Sequence, residues 1–121
     1  PVKPIGLEEP DRPQGLDESV AFIHKEIEKL EQRGVPSDKV VLGGFSQGGT
    51  VTLLAGLTYP RKLGGVVSIS GWSTYRDELA SKTQAANAAL PILYCYGSGD
   101  PVVDAKLGKA SAETLKGVLN D

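Results

Sequence analysis

The strongest constraint on the fold is a short apolar run that leads directly into a glycine-rich bend. Residues 39–45 (KVVLGGF) have the β-branched and apolar composition of a strand that is buried on both faces of a parallel sheet. The segment that follows, residues 48–59, has the apolar pattern of a helix and is closed by Pro60. Between the two the backbone has to turn so tightly that only small neighbours fit. The sequence therefore predicts a strand, a tight bend and a helix in direct succession.

Similar signatures recur along the rest of the chain. Four of the eight prolines fall in the first 13 residues, which predicts a loop there because proline lacks an amide donor. Asp104 has the residue type and position of a helix N-cap. Apolar spacing and punctuation by glycine and proline predict helices at 17–33 and 105–119, strands at 65–70 and 91–96, and a short helix at 79–86.

Alternation of helices and strands predicts an α/β fold with a mainly parallel sheet. The 121 residues allow one domain. Three strands leave two sheet edges with unpaired backbone groups, so we expect further strands outside this chain and self-association through the open edges. The chain contains no methionine, which adds to the expectation that residues 1–121 are the central part of a single domain.

Composition excludes several classes of function. The formal net charge of −2 and the pI near 5.4 provide no basic field for nucleic acid or for an anionic membrane surface. We expect no membrane-spanning segment, because no apolar run approaches the roughly 20 residues that cross a bilayer. The single cysteine, Cys95, excludes an intrachain disulfide and fits a buried, inert thiol in a cytoplasmic protein. No metal or other cofactor is indicated.

The bend itself carries the pattern G-x-S-x-G, as Gly44-Phe45-Ser46-Gln47-Gly48. A serine between a buried strand and a helix lies at the helix N-terminus, where free amides and the helix dipole favour negative charge. Ser46 is therefore a candidate nucleophile, and the Gln47 amide could donate to an oxyanion. A plain glycine-rich turn and a phosphate-binding loop are the alternatives, although the lysine of a phosphate-binding loop is missing.

Two further side chains follow the other predicted strands. Trp72 comes after residues 65–70, and Asp100 follows residues 91–96 in a glycine-rich turn. Because ligands of open α/β sheets bind at the carboxyl ends of the strands, we expect both residues to emerge beside Ser46. Asp100 could orient a base or simply begin a turn before Pro101, and Trp72 could line a substrate pocket or pack at the rim.

The chain resembles the acyl-protein thioesterase, carboxylesterase and lysophospholipase family of α/β hydrolases. The resemblance is carried by LDES at residues 16–19, GVP at 34–36, GGFSQGG at 43–49, SGW at 70–72 and YGSGDPVV at 96–103. It implies the central portion of an α/β-hydrolase domain, with Ser46 as nucleophile, Asp100 as triad acid and Gln47 as an oxyanion-hole residue. The implied substrates are S-acylated proteins, small esters or lysophospholipids.

The only histidine departs from the family pattern. His24 precedes Ser46 and lies within the first predicted helix, whereas the order on this fold is serine, acid, histidine. The resemblance places the base in a segment beyond Asp121 and one oxyanion amide in an upstream His-Gly loop. We therefore expect the isolated chain to be inactive, and a non-catalytic binding module of the same fold is the alternative.

Overall fold

A computed structural model describes residues 5–119. The predicted alternation is confirmed, with boundaries within two residues of those expected. The predicted helix at 79–86 is instead one short helix and a separate 3-10 turn, Ala85–Asn87. The elements are α1 Leu16–Gln32, β1 Val41–Phe45, α2 Gln47–Thr58, β2 Gly65–Ile69, α3 Leu79–Lys82, β3 Ile92–Cys95 and α4 Ala105–Val118.

The three strands form one parallel sheet in the order β1-β2-β3. Phe45 is in register with Ile69, and Ile69 is in register with Cys95. The strands consequently end at the same level, and the loops that follow them leave from one edge of the sheet. This alignment brings the segments after residues 45, 69 and 95 together.

Helices cover one face of the sheet. Helix α2 packs closely on β2 because Gly56 has no side chain, and a Cβ there would lie 2.5 Å from a Val66 methyl group. Side chains of all three strands point into this core, which also includes Leu115 of α4. The strand residues on this face are Leu42, Val66, Ser68, Ile92 and Tyr94.

The opposite face of the sheet is open, and this corrects two expectations. Val41 and Phe45 are 61% and 70% exposed, so β1 is not buried on both faces. Leu93 is 60% exposed, and Cys95 is exposed rather than buried. Alternate side chains of a strand point to opposite faces, and within residues 5–119 the core lies on the other side. An apolar sheet face therefore remains in contact with solvent.

The connection between α2 and β2 is fixed by one buried amide. The Asn87 side chain is 1% exposed, and its Oδ1 accepts from the Leu63 amide at 2.9 Å. Its Nδ2 donates to the carbonyls of Tyr59 (2.9 Å) and Arg61 (2.8 Å). All polar atoms of this side chain are thus used to shape residues 59–63.

The N-terminal segment packs against the loop before α4. Within the described range, residues 5–15 contain no helix, as predicted, while residues 1–4 of the predicted loop lie outside the described part. Ile5 forms a parallel bridge with Val103, and its amide donates to the Val102 carbonyl at 2.7 Å. Asp104 caps α4 by accepting from the Lys106 amide, which confirms the expected N-cap. A search of the described helices finds none with the length and apolarity required to cross a membrane.

Candidate active site

Ser46 occupies a left-handed backbone conformation between β1 and α2. Its φ is 57° and its ψ is −121°, values that L-residues other than glycine rarely adopt. The conformation costs on the order of 1–3 kcal/mol and persists only where the surroundings enforce it. Here the Ser46 amide donates to the Ile69 carbonyl at 2.8 Å, and the Ser46 carbonyl accepts from the Thr50 amide at 3.1 Å. The sharp bend expected from the sequence is present at this serine.

The two glycines of the pentapeptide differ in what they permit. A Cβ on Gly44 would lie 2.2 Å from the Gly48 carbonyl oxygen, so this position excludes any side chain. A Cβ on Gly48 would meet no described atom within 4 Å. Gly49 is the second crowded position, since its Cβ would lie 2.7 Å from Ser68 Oγ. The tightness of the bend therefore depends on Gly44 and Gly49, and not on both glycines of the motif.

Gln47 is the first residue of α2. The first four amides of a helix have no carbonyl partner within the helix, and no described side chain caps this end. The Gln47 amide thus points out of the helix N-terminus next to Ser46, where the helix dipole favours negative charge. The Gln47 side chain is exposed.

Asp100 lies in the loop after β3 and is held by two amides. Its Oδ1 accepts from the Val102 amide at 2.8 Å and from the Val103 amide at 3.0 Å. These two bonds are the largest influence on the carboxyl group and lower its pKa below the ordinary value. Asp100 is therefore ionised at neutral pH.

One strand lies between Ser46 and Asp100. Neighbouring strands are about 4.8 Å apart, so β1 and β3 are separated by roughly 10 Å. This gap accommodates an imidazole ring with one hydrogen bond of about 2.8 Å on each side. The sheet brings Ser46, Asp100 and Trp72 to the same edge, as the strand order requires.

Trp72 is buried at this edge, with 5% of its surface exposed. It lines a cavity of about 240 Å³ together with Gln47 and Thr50. Its indole Nε1 has no hydrogen-bond partner within the described chain. Ile5 contributes to the cavity from the N-terminal segment, a contact that the sequence analysis missed. The sequence contains no spacing signal that links Ile5 to Trp72.

His24 is remote from this edge. Its Nε2 lies 2.9 Å from the Ala55 carbonyl oxygen, and its ring meets the Tyr59 ring edge-on at 5.0 Å between centroids. Ala55 follows Ser46 by nine residues, which corresponds to about 13 Å along α2. The histidine is packed between α1 and α2, as the packed-residue interpretation predicted.

The fold and the strand-end geometry define an α/β hydrolase, and the comparisons with known proteins agree. A profile of the phospholipase/carboxylesterase family matches residues 5–121. Arabidopsis thaliana SOBER1 superimposes with a TM-score of 0.88 at 30% identity, over 95% of this chain and 55% of SOBER1. The chain belongs to the phospholipase/carboxylesterase family.

Curated relatives are acyl-protein thioesterases of fungi. Acyl-protein thioesterase 1 of Gibberella zeae is 40% identical over 112 residues, which cover 89% of this chain and 47% of the relative. Acyl-protein thioesterase 1 of Schizosaccharomyces pombe is 39% identical over 101 residues, covering 84% and 45%. The chain thus spans about half the length of these relatives. These names indicate an ester or thioester hydrolase at the level of the family.

Proposed function

We propose that this chain supplies the nucleophile and the acid of a serine hydrolase that cleaves thioester or carboxylic ester bonds of fatty-acylated substrates. The observation that carries the proposal is the left-handed Ser46 at the uncapped N-terminus of α2. Asp100, ionised and two strands away, is the proposed triad acid. Because His24 packs against Ala55, the proposed base is a histidine outside these 121 residues.

The proposed reaction is acyl transfer to water. Ser46 Oγ attacks the substrate carbonyl carbon while its proton passes to the histidine, and Asp100 stabilises the resulting imidazolium. The Gln47 amide donates to the oxyanion of the tetrahedral intermediate. Collapse expels the thiolate or alkoxide, which takes the proton from the histidine and leaves an acyl-Ser46 ester. Water, deprotonated by the same histidine, then hydrolyses this ester, and no cofactor is required.

The acyl group is proposed to occupy the cavity beside Trp72. This cavity adjoins Gln47, so it begins at the residue that would hold the oxyanion. The names of the fungal relatives favour an S-acylated protein as substrate, with small esters and lysophospholipids as the other members of the class. A cytoplasmic location is part of the proposal and suits a chain with a single, exposed cysteine.

A hybrid enzyme tests the proposal directly. In the hybrid, this chain replaces the matched segment of the Gibberella zeae thioesterase, so that the rest of the relative completes the fold. We expect thioester hydrolysis by the hybrid, loss of at least 1,000-fold with Ser46→Ala, and a large loss with Asp100→Asn. Ser98→Ala, which changes an exposed serine of the same loop as Asp100, is the matched control and should retain activity. A folded hybrid whose hydrolysis survives Ser46→Ala would refute the assignment.

The alternative is a binding module that uses the same fold without catalysis. The position of His24 favours it, since the chain has no other histidine. The isolated chain should be essentially inactive under either proposal, whereas only the enzyme gains activity in the hybrid. We also propose that the isolated chain self-associates, because the exposed face at Phe45 and Leu93 and the two sheet edges are unpartnered within the described residues.

A further inference from the structure

Ser70 is the residue that directly follows β2, the strand between Ser46 and Asp100. Its φ is 57°, the same value as that of Ser46. Among residues 5–119 only three residues other than glycine have a positive φ, and two of them are these serines at neighbouring strand ends. Such a conformation is retained only where surrounding contacts enforce it, and it is typical of functional sites.

The contacts that enforce it come from both sides. On the side of the acid, the Ser70 amide donates to the Cys95 carbonyl at 2.8 Å, and the Tyr94 hydroxyl donates to the Gly71 carbonyl at 2.6 Å. On the side of the nucleophile, the Trp72 amide donates to Thr50 Oγ1 at 3.1 Å. Residues 70–72 are therefore tied to β3 and α2 at the same time.

Gly71 makes this bridge rigid. A Cβ on Gly71 would lie 2.6 Å from the Gly49 carbonyl carbon and 2.7 Å from the Thr50 amide nitrogen. The loop thus lies directly against the first turn of α2, four residues or fewer from Ser46. Any displacement of residues 70–72 would displace the bend or the end of β3.

The Ser70 side chain acts on Asp100. A hydrogen bond from Ser70 lowers the pKa of Asp100, in addition to the larger effects of the Val102 and Val103 amides. Those two amides are both bound to Oδ1, so they fix one carboxylate oxygen and allow rotation about it to be controlled by a third donor. Ser70, at the end of the adjacent strand, is in the position to be that donor.

We propose that Ser70 is a positioning residue for Asp100: its left-handed conformation directs its hydroxyl to the carboxylate, and residues 70–72 fix the separation of Asp100 from Ser46. The proposal rests on the proposed function, in which Asp100 orients the base. It assigns to Ser70 a role that is separate from acyl binding, because its hydroxyl acts through the acid and does not contact the substrate.

The test is a measurement of the Asp100 side-chain pKa by carbon NMR in the 121-residue chain. Ser70→Ala removes the hydroxyl and keeps a Cβ at the left-handed position, whereas Ser70→Gly removes the hydroxyl and relieves the strain. We expect an upward shift of the Asp100 pKa of equal size in both variants. Ser98→Ala, in the same loop as Asp100, should give no shift.

The two variants separate a positioning role from a structural one. If the Asp100 pKa is unchanged in both variants, or rises in Ser70→Ala alone, the hydroxyl does not hold the carboxylate and the proposal is overturned. The readout does not depend on turnover, so it is distinct from a failure of Ser46 as the nucleophile, which would appear only in the hydrolysis assay.

Discussion

Replacing Gly44 with alanine should disrupt the bend that presents Ser46. The new Cβ would lie 2.2 Å from the Gly48 carbonyl oxygen and 2.4 Å from its carbonyl carbon, where ordinary contact begins at 3.4 Å. The atoms would have to separate by more than 1 Å, and the colliding atoms are backbone of the first turn of α2. Overpacking costs about 1–3 kcal/mol where side chains can yield. Because backbone has to move here, we expect a loss of about 3 kcal/mol or more in unfolding free energy.

The adjacent glycine provides the control. A Cβ on Gly43 would meet no described atom within 4 Å, and its φ is not positive, so Gly43→Ala should stay within about 1 kcal/mol of the parent chain. In urea unfolding, a loss of 3 kcal/mol lowers the midpoint by on the order of 1–2 M. Equal midpoints for Gly44→Ala and Gly43→Ala would refute the argument that the bend requires glycine at the first position of the motif.

Three further predictions concern stability and association. Asn87→Ala should lower the unfolding free energy by about 3 kcal/mol, because three buried backbone groups lose their partner, and a loss below 1 kcal/mol in urea unfolding would contradict this. The lowered pKa of Asp100 means that its carboxylate stabilises the fold above the unfolded pKa near 3.8 and that this contribution is lost as the pH falls through the lower folded value; Asp100→Asn should therefore flatten the urea midpoint below pH 4, and an unchanged profile would contradict it. Phe45→Lys should reduce self-association in light scattering, whereas Leu7→Lys, at another exposed apolar residue, should not; equal effects would exclude the open face as the contact.

Local sequence patterns were sufficient to predict the elements and the bend. The apolar run at 39–45, the glycines around Ser46 and the N-cap at Asp104 each act over a few residues, so their consequences can be inferred without tertiary contacts. The convergence of Ser46 and Asp100 also follows from parallel strands, which all end at one edge.

Burial of the sheet faces could not be predicted in the same way. A run of β-branched residues indicates that a strand suits an interior, but which face is covered depends on where the helices cross. Parallel strands joined by right-handed crossovers in sequence order place their helices on one side. Val41, Leu93 and Cys95 are consequently exposed although their composition suggested burial.

The left-handed Ser70 was also beyond sequence reasoning. A positive φ is usually anticipated at glycine, and residue 71, the neighbour, is the glycine here. The conformation of Ser70 results from contacts with Cys95 and with α2 that join distant parts of the chain. The same holds for Ile5, which reaches the cavity beside Trp72 only through its bridge to Val103.

The most direct measurement is the site of reaction with a fluorophosphonate, located by mass spectrometry in the hybrid with the Gibberella zeae thioesterase. A serine made nucleophilic by the bend and by a histidine held by Asp100 should carry the adduct on Ser46, with no adduct in Ser46→Ala and little in the isolated chain. An adduct on another residue, or equal labelling of the hybrid and its Ser46→Ala variant, would contradict the account.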